Sequence, residues 1–202
     1  MLSMLTSGIA AGIVISLGGG VFLACENRVV GAVLFSVALL CICMKSYSLF
    51  TGKVGFLPHS HTKKDWVSLL LALAGNAVGA ALGGLALRYA LPSLGTAAET
   101  LCSAKLAQGA LQTLIRGGFC GLLMYLAVSI WRERQTPLGV LFCIPVFILS
   151  GYEHSIADMF YFAAAGQISW PVLAFLGLTV LGNSLGSVLL PLLTGERGKT
   201  NG

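Results

Sequence analysis

Charge is what this chain has least of. Only 9% of its 202 residues are Asp, Glu, Lys or Arg, while 56% are hydrophobic and the mean hydropathy is +0.90. An ordinary soluble domain carries about 25% charged residues, so a water-soluble surface is excluded. Metal-ligand spacing is missing as well. The six cysteines, Cys25, Cys41, Cys43, Cys102, Cys120 and Cys143, lie mostly in apolar segments. Their closest spacing, Cys41-Ile42-Cys43, points to two different faces of a helix. They read as small buried hydrophobes; Cys25 and Cys102 can bridge only if both lie in outer loops. The chain has no H-E-x-x-H, no G-x-S-x-G and no second histidine in its apolar segments, which leaves an intramembrane hydrolase little to work with. It has no N-P-A, the helix-break motif of aquaporin-type neutral-solute channels. The first apolar segment has neither a basic n-region nor an A-x-A site, so it reads as a span and not as a cleaved signal. The net charge of +5 marks cytoplasmic loops in a membrane protein and does not suggest nucleic acid. Nothing calls for a metal or cofactor.

What is present is a series of apolar runs of about 20 residues or more, which read as membrane-spanning helices and not as barrel strands. The pattern predicts an all-α membrane protein, a single domain over residues 1–202. Its six transmembrane helices are expected near 4–24, 29–50, 66–90, 106–131, 138–163 and 170–194. The connections 51–65 and 132–137 and the tail from 195 hold Lys53, Lys63, Lys64, Arg132, Arg134, Arg197 and Lys199. The other side holds Arg28, with Arg88 and Lys105 near helix ends. The positive-inside rule then places both termini in the cytoplasm. Trp66, Trp131 and Trp170 fall at span ends, as interface anchors do, and Pro171 suits the first turn of the last helix. His59 and His61, at i and i+2, can hold a metal only weakly and read better as part of a solvated cytoplasmic loop.

The segment Ser150-Gly151-Tyr152-Glu153-His154-Ser155-Ile156-Ala157-Asp158-Met159 breaks the apolar pattern. Ionisable groups at membrane depth cost several kcal/mol unless they face protein or a wet path. Helix breaks there are tolerated only where the backbone lines a cavity. A second break is expected at Leu49-Phe50-Thr51-Gly52. Each broken helix is followed by a small-residue motif, Gly75-Asn76-Ala77-Val78-Gly79 and Gly182-Asn183-Ser184-Leu185-Gly186. Three spans separate the halves, so the pattern is an inverted 3+3 repeat, with broken helices 2 and 5 and a path between the halves. Asn76 and Asn183 either hydrogen-bond the broken backbone or line the path.

Ser150 to Phe160 closely resembles the S-G-F-E-H-S-I-A-N-M-F signature of the formate/nitrite transporter family. Leu49-Phe50-Thr51, the two G-N-x-x-G motifs, and Leu126-Ala127-Val128 with Trp131 are similar to its other motifs. Ser7-Gly8-Ile9-Ala10-Ala11-Gly12 is loosely similar to the start of its first helix. Lys45-Ser46-Tyr47-Ser48-Leu49-Phe50-Thr51-Gly52-Lys53 is loosely similar to the branch that includes hydrosulfide channels. The resemblance implies an aquaporin-like fold and a homopentamer with one pore per protomer. It implies transport of small monovalent weak-acid anions such as formate, nitrite or hydrosulfide, together with a proton, across a bacterial-type inner membrane. It further implies a central pore histidine at His154, constrictions at Phe35, Leu39, Leu49, Phe50 and Phe147, a loop threonine at Thr51, and a vestibule lysine at Lys105. In such a path Lys105 attracts the anion, a dry neck favours the neutral acid, and His154 can donate or relay the proton, oriented by Glu153 and Thr51.

Other readings stay open. Glu153 can instead cap the backbone at the break, and Lys105 can snorkel to the interface. Asp158 and Gly121 stand where the family usually has Asn. Lys45, about 9 Å from Thr51 along a continuous helix, either adds positive potential at the inner mouth or snorkels. Arg116 needs a carbonyl or carboxylate partner. The short N-terminus is expected to bring no long gating segment, hence weak or no pH gating.

Overall fold

The computed structural model describes residues 1–59 and 62–195. Among these the chain folds into eight α-helices: α1 (Leu2–Ala24), α2 (Arg28–Met44), α3 (Lys63–Ala90), α4 (Pro92–Leu106), α5 (Ala110–Arg134), α6 (Leu138–Leu149), α7 (Ser155–Ala164) and α8 (Trp170–Thr194). A 3-10 helix, Val54–His59, follows α2. The described residues contain no strand. Four helices, α1, α3, α5 and α8, are long and apolar enough to cross a membrane, while α2 and α6 are shorter apolar helices. His61, Arg197 and Lys199 lie outside the described residues.

The boundaries follow from local chemistry. Asn27 starts α2 by accepting from Val29 N and Val30 N at 2.9 and 3.2 Å, an N-cap that satisfies amides left open at a helix start. Thr62 and Asp65 form a capping box at α3, and Ser169 caps α8 with Pro171 in its first turn. α2 stops at Met44, earlier than the hydropathy suggests, and Ser46 takes a left-handed φ of 54°. α6 stops at Leu149 and Gly151 turns the chain at φ 70°. Both breaks are therefore real interruptions of an apolar run.

One departure from the sequence pattern concerns the region after α3. Residues 91–105 are expected as a connection, yet they form α4, which opens on Pro92 in its first turn. Cys102 is buried on that helix, and both it and Cys25 are free thiols.

The halves match. α1 packs on α3, and α5 packs on α8. In each pair a motif glycine permits the approach: a Cβ on Gly79 would overlap the Ile9 carbonyl, and one on Gly186 the Gly118 carbonyl. This small-residue packing is what brings membrane helices together without a hydrophobic driving force. The two asparagines are equivalent in detail. Asn76 Oδ1 accepts from Phe50 N, and its amide donates to the carbonyls of Ser48 and Gly8, all at 2.8 Å. Asn183 Oδ1 accepts from Ser155 N at 2.9 Å, and its amide donates to the carbonyls of Glu153 (2.8 Å) and Gly117 (2.9 Å). Each Asn thus ties one break to a neighbouring long helix, supplying partners that the interrupted backbone lost.

Candidate functional site

The two breaks meet. Thr51 Oγ1 and His154 Nε2 are 2.9 Å apart and both residues are buried. His154 also caps α7: its Nδ1 accepts from Ala157 N at 3.1 Å. An Nδ1 that accepts from an amide carries no proton. The ring is therefore neutral in this arrangement and Nε2–H is the donor to Thr51. Phe147 stacks on the imidazole with ring centroids 5.6 Å apart, and Phe35 meets Phe147 edge-on at 6.2 Å. Leu39 lies one helical turn from Phe35 on α2. Phe35, Leu39, Leu49, Phe50 and Phe147 are each at most 4% exposed. They form an apolar plug around one polar pair.

Two cavities with no lining residue in common open on either side of the plug. The first, about 250 Å³, is walled by α1, α2, α4, α5, α6 and α7, and includes Phe35, Lys105, Arg116, Phe147, His154 and Asp158. The second, about 430 Å³, lies by the α2 and α5 C-termini and includes Leu39, Leu49, Lys53, Trp131 and Arg132. Arg132 sits over the Phe56 ring at 3.9 Å, and Lys53 Nζ donates to Ser48 Oγ at 3.0 Å. Outside the spans, burial and then the neighbouring Arg132 charge hold Lys53 below the ordinary lysine value.

Lys105 belongs to the last turn of α4 and not to the start of the next span. It is buried, and its ammonium is bonded to Glu153 Oε2 and lies 2.9 Å from Asp158 Oδ1. Gln108 Nε2 donates to Glu153 Oε1 at 2.6 Å. The Glu153 carboxylate therefore turns toward Lys105 and Gln108, neither orienting His154 nor capping the broken backbone. The ring partners of His154 are Thr51 and Ala157. Lys45 is exposed at the C-terminus of α2 and lines neither cavity; with the helix ending at Met44, a helical distance from it to Thr51 has no meaning. Asn76 and Asn183 lie behind the breaks and line neither cavity.

Four wall residues carry no cavity signal in the sequence. Lys53 and Arg132 served as loop charges that set topology, and Trp131 as an interface anchor, yet all three face the second cavity. Gln108 carried no local signal, because its partner Glu153 is distant in sequence. Arg116 reaches the first cavity half-buried, with no side-chain hydrogen bond or ion pair among the described residues; its own carbonyl accepts from Glu153 N at 3.4 Å.

An all-helical bundle with two broken helices, their ends facing each other between two cavities, defines a membrane channel or transporter fold. That fold is shared with the solved structure of a pentameric formate channel with formate bound, at a TM-score of 0.80 and 20% identity, covering 95% of this chain and 94% of that one. A second solved structure, an ion channel of the FNT family, superimposes at a TM-score of 0.74 with 27% identity over 96% of this chain and 87% of that one. The chain belongs to the formate/nitrite transporter family, whose sequence profile matches residues 1–195. Among curated relatives, the nitrite transporter NirC of Escherichia coli is 29% identical over 178 residues, 77% of this chain and 64% of that protein. Formate-nitrite transporter 2 of Toxoplasma gondii is 31% identical over 178 residues, 78% of this chain and 38% of that protein. The match thus spans less than two thirds of these relatives' own length.

Proposed function

We propose that this chain passes small monovalent weak-acid anions across a membrane, formate first and nitrite or hydrosulfide next, with a proton or as the neutral acid. The observation that carries this reading is the apolar plug of Phe35, Leu39, Leu49, Phe50 and Phe147 between two cavities whose walls hold cations. Arg28 and Arg116 stand on one side, with Lys105 held between two carboxylates, and Lys53 and Arg132 on the other. Cationic walls raise the local concentration of anions. The plug then opposes them, because a bare charge entering an apolar neck loses its hydration without replacement. A protonated weak acid avoids most of that cost. It meets one donor in the neck, the Nε2–H of His154, steadied by Thr51. Protonating Nδ1 would break the cap on α7, so in this reading His154 acts as a neutral donor at the neck.

The relatives' names, a nitrite transporter and a formate-nitrite transporter, support this substrate class. The likeness to a pentameric formate channel supports a homopentamer with one path in each protomer. We take the whole chain as one transport domain with six crossings of a bacterial-type inner membrane, two of them broken. Both termini and the Lys53–Arg132 cavity face the cytoplasm, where the cationic loops cluster. Proteoliposomes carrying the purified protein, given an inward pH gradient, test the reading. Uptake of formate, nitrite or hydrosulfide above that of protein-free vesicles supports it. Swelling with glycerol or urea and no uptake of the three acids would instead assign a neutral-solute channel.

A further inference from the structure

The buried cluster at the first cavity is short of one particle. Two carboxylates, Glu153 and Asp158, are 2% and 1% exposed and share one ammonium, Lys105. Fully ionised, the trio carries one uncompensated negative charge in the wall of a cavity read as a path for anions. The hydrogen bonds show the same shortage. Asp158 Oδ2 and Gln108 Oε1 are buried acceptors with no donor. Buried acceptors normally have donors, and each missing one costs about 1–3 kcal/mol. A single proton on Asp158 repairs the charge count and turns one orphaned acceptor into a donor. The other ionisable groups around Asp158 do not offer this repair. Cys102 comes from α4, Cys120 and the half-buried Arg116 from α5, Tyr161 from α7, and neutral His154 from the break. None of these is hydrogen-bonded to Oδ2.

We propose that the Lys105–Glu153–Asp158 cluster stores a proton on Asp158 and hands it to the weak-acid anion in this cavity. In the transfer the O–H bond of Asp158 breaks and an O–H or S–H bond forms on the anion. The neutral acid goes on to the plug, Asp158 is left as a carboxylate against the Lys105 ammonium, and water at the mouth returns the proton. The site residue that departs from the family signature thereby supplies the proton that the proposed function requires, on which reading the hand-off rests.

Only two aspartates occur in the chain, Asp65 and Asp158, so carboxyl-labelled aspartate isolates the site. Asp65 sits in an exposed capping box. The full-length protein, labelled with 13C at the aspartate side-chain carboxyl and reconstituted in liposomes, is read by carbon NMR at neutral pH. The expected spectrum has one protonated and one ionised aspartate. The protonated signal disappears in Asp158→Asn and becomes ionised in Glu153→Gln, where one carboxylate suffices for Lys105. Two ionised aspartates in the unmodified protein, or a protonated signal surviving Asp158→Asn, would overturn the proposal whatever the flux. The hand-off is read separately: Asp158→Asn should move the curve of formate flux against external pH toward acid, and an unmoved curve overturns it. A protonated Asp158 in a protein that carries no weak acid would overturn the proposed function while leaving the proton site standing.

Discussion

Replacing Asn183 by leucine keeps the heavy-atom count and branching of the side chain and deletes all three of its hydrogen bonds. Ser155 N–H then loses its acceptor, and the Glu153 and Gly117 carbonyls lose a donor. The site is fully buried, so water does not replace these partners without opening the helix contact. At about 0.6 kcal/mol for a hydrogen bond within a membrane protein and about 1.5 kcal/mol at the upper end of the general range, three bonds amount to about 1.8–4.5 kcal/mol. Asn76→Leu strips the same pattern from the other half, Phe50 N–H and the Ser48 and Gly8 carbonyls, so it should cost the same to within about 1 kcal/mol. The assay is reversible unfolding in mixed micelles at fixed protein concentration, followed by fluorescence of the three tryptophans. Losses under about 0.5 kcal/mol, the scatter of ordinary surface changes, would show that the asparagines do not hold the breaks. A large loss at one position and none at the other would refute their equivalence.

Other expectations follow from the same geometry. Gly186→Leu places a side chain against the Gly118 carbonyl and should abolish folded protein, read as loss of a monodisperse peak in size exclusion, whereas Gly177→Leu, with open space around it, should not. Lys105→Met leaves Glu153 and Asp158 buried without their cation and should cost about 3–5 kcal/mol at neutral pH, much of it recovered by adding Glu153→Gln and Asp158→Asn. Phe147→Ala removes the ring between Phe35 and His154 and should raise the flux of bulkier weak acids such as lactate relative to formate. Thr51→Val should keep the fold while lowering formate flux, since it removes the acceptor that fixes Nε2–H of His154; unchanged flux would deny Thr51 that task.

Much of this was legible in the sequence because membrane depth makes polar residues conspicuous. Glu153, His154 and Asp158 stood out in an apolar run, and the paired G-N-x-x-G motifs revealed the two halves. What stayed hidden depended on where chain ends and turns fall. Hydropathy carried α2 through Ser46, although only backbone geometry could stop it at Met44. Residues 91–105 are too short and mixed to register as a span, so hydropathy leaves α4 as a connection with Lys105 at its end. Charges were counted for topology, which hid that Lys53 and Arg132 also face a cavity. The Glu153 side chain could be assigned to His154 from adjacency, but adjacent residues across a broken helix point apart, and its partners Lys105 and Gln108 come from another part of the chain.

In the proposed path the substrate crosses the plug as a neutral acid. Proteoliposomes loaded with a pH-sensitive dye and given labelled formate report anion and proton movement together. The interior should acidify in step with formate uptake, one proton for each anion, and clamping the membrane potential should leave the rate unchanged. Formate uptake without acidification, driven by an imposed potential, would mean that the bare anion crosses and that no neutral acid is needed.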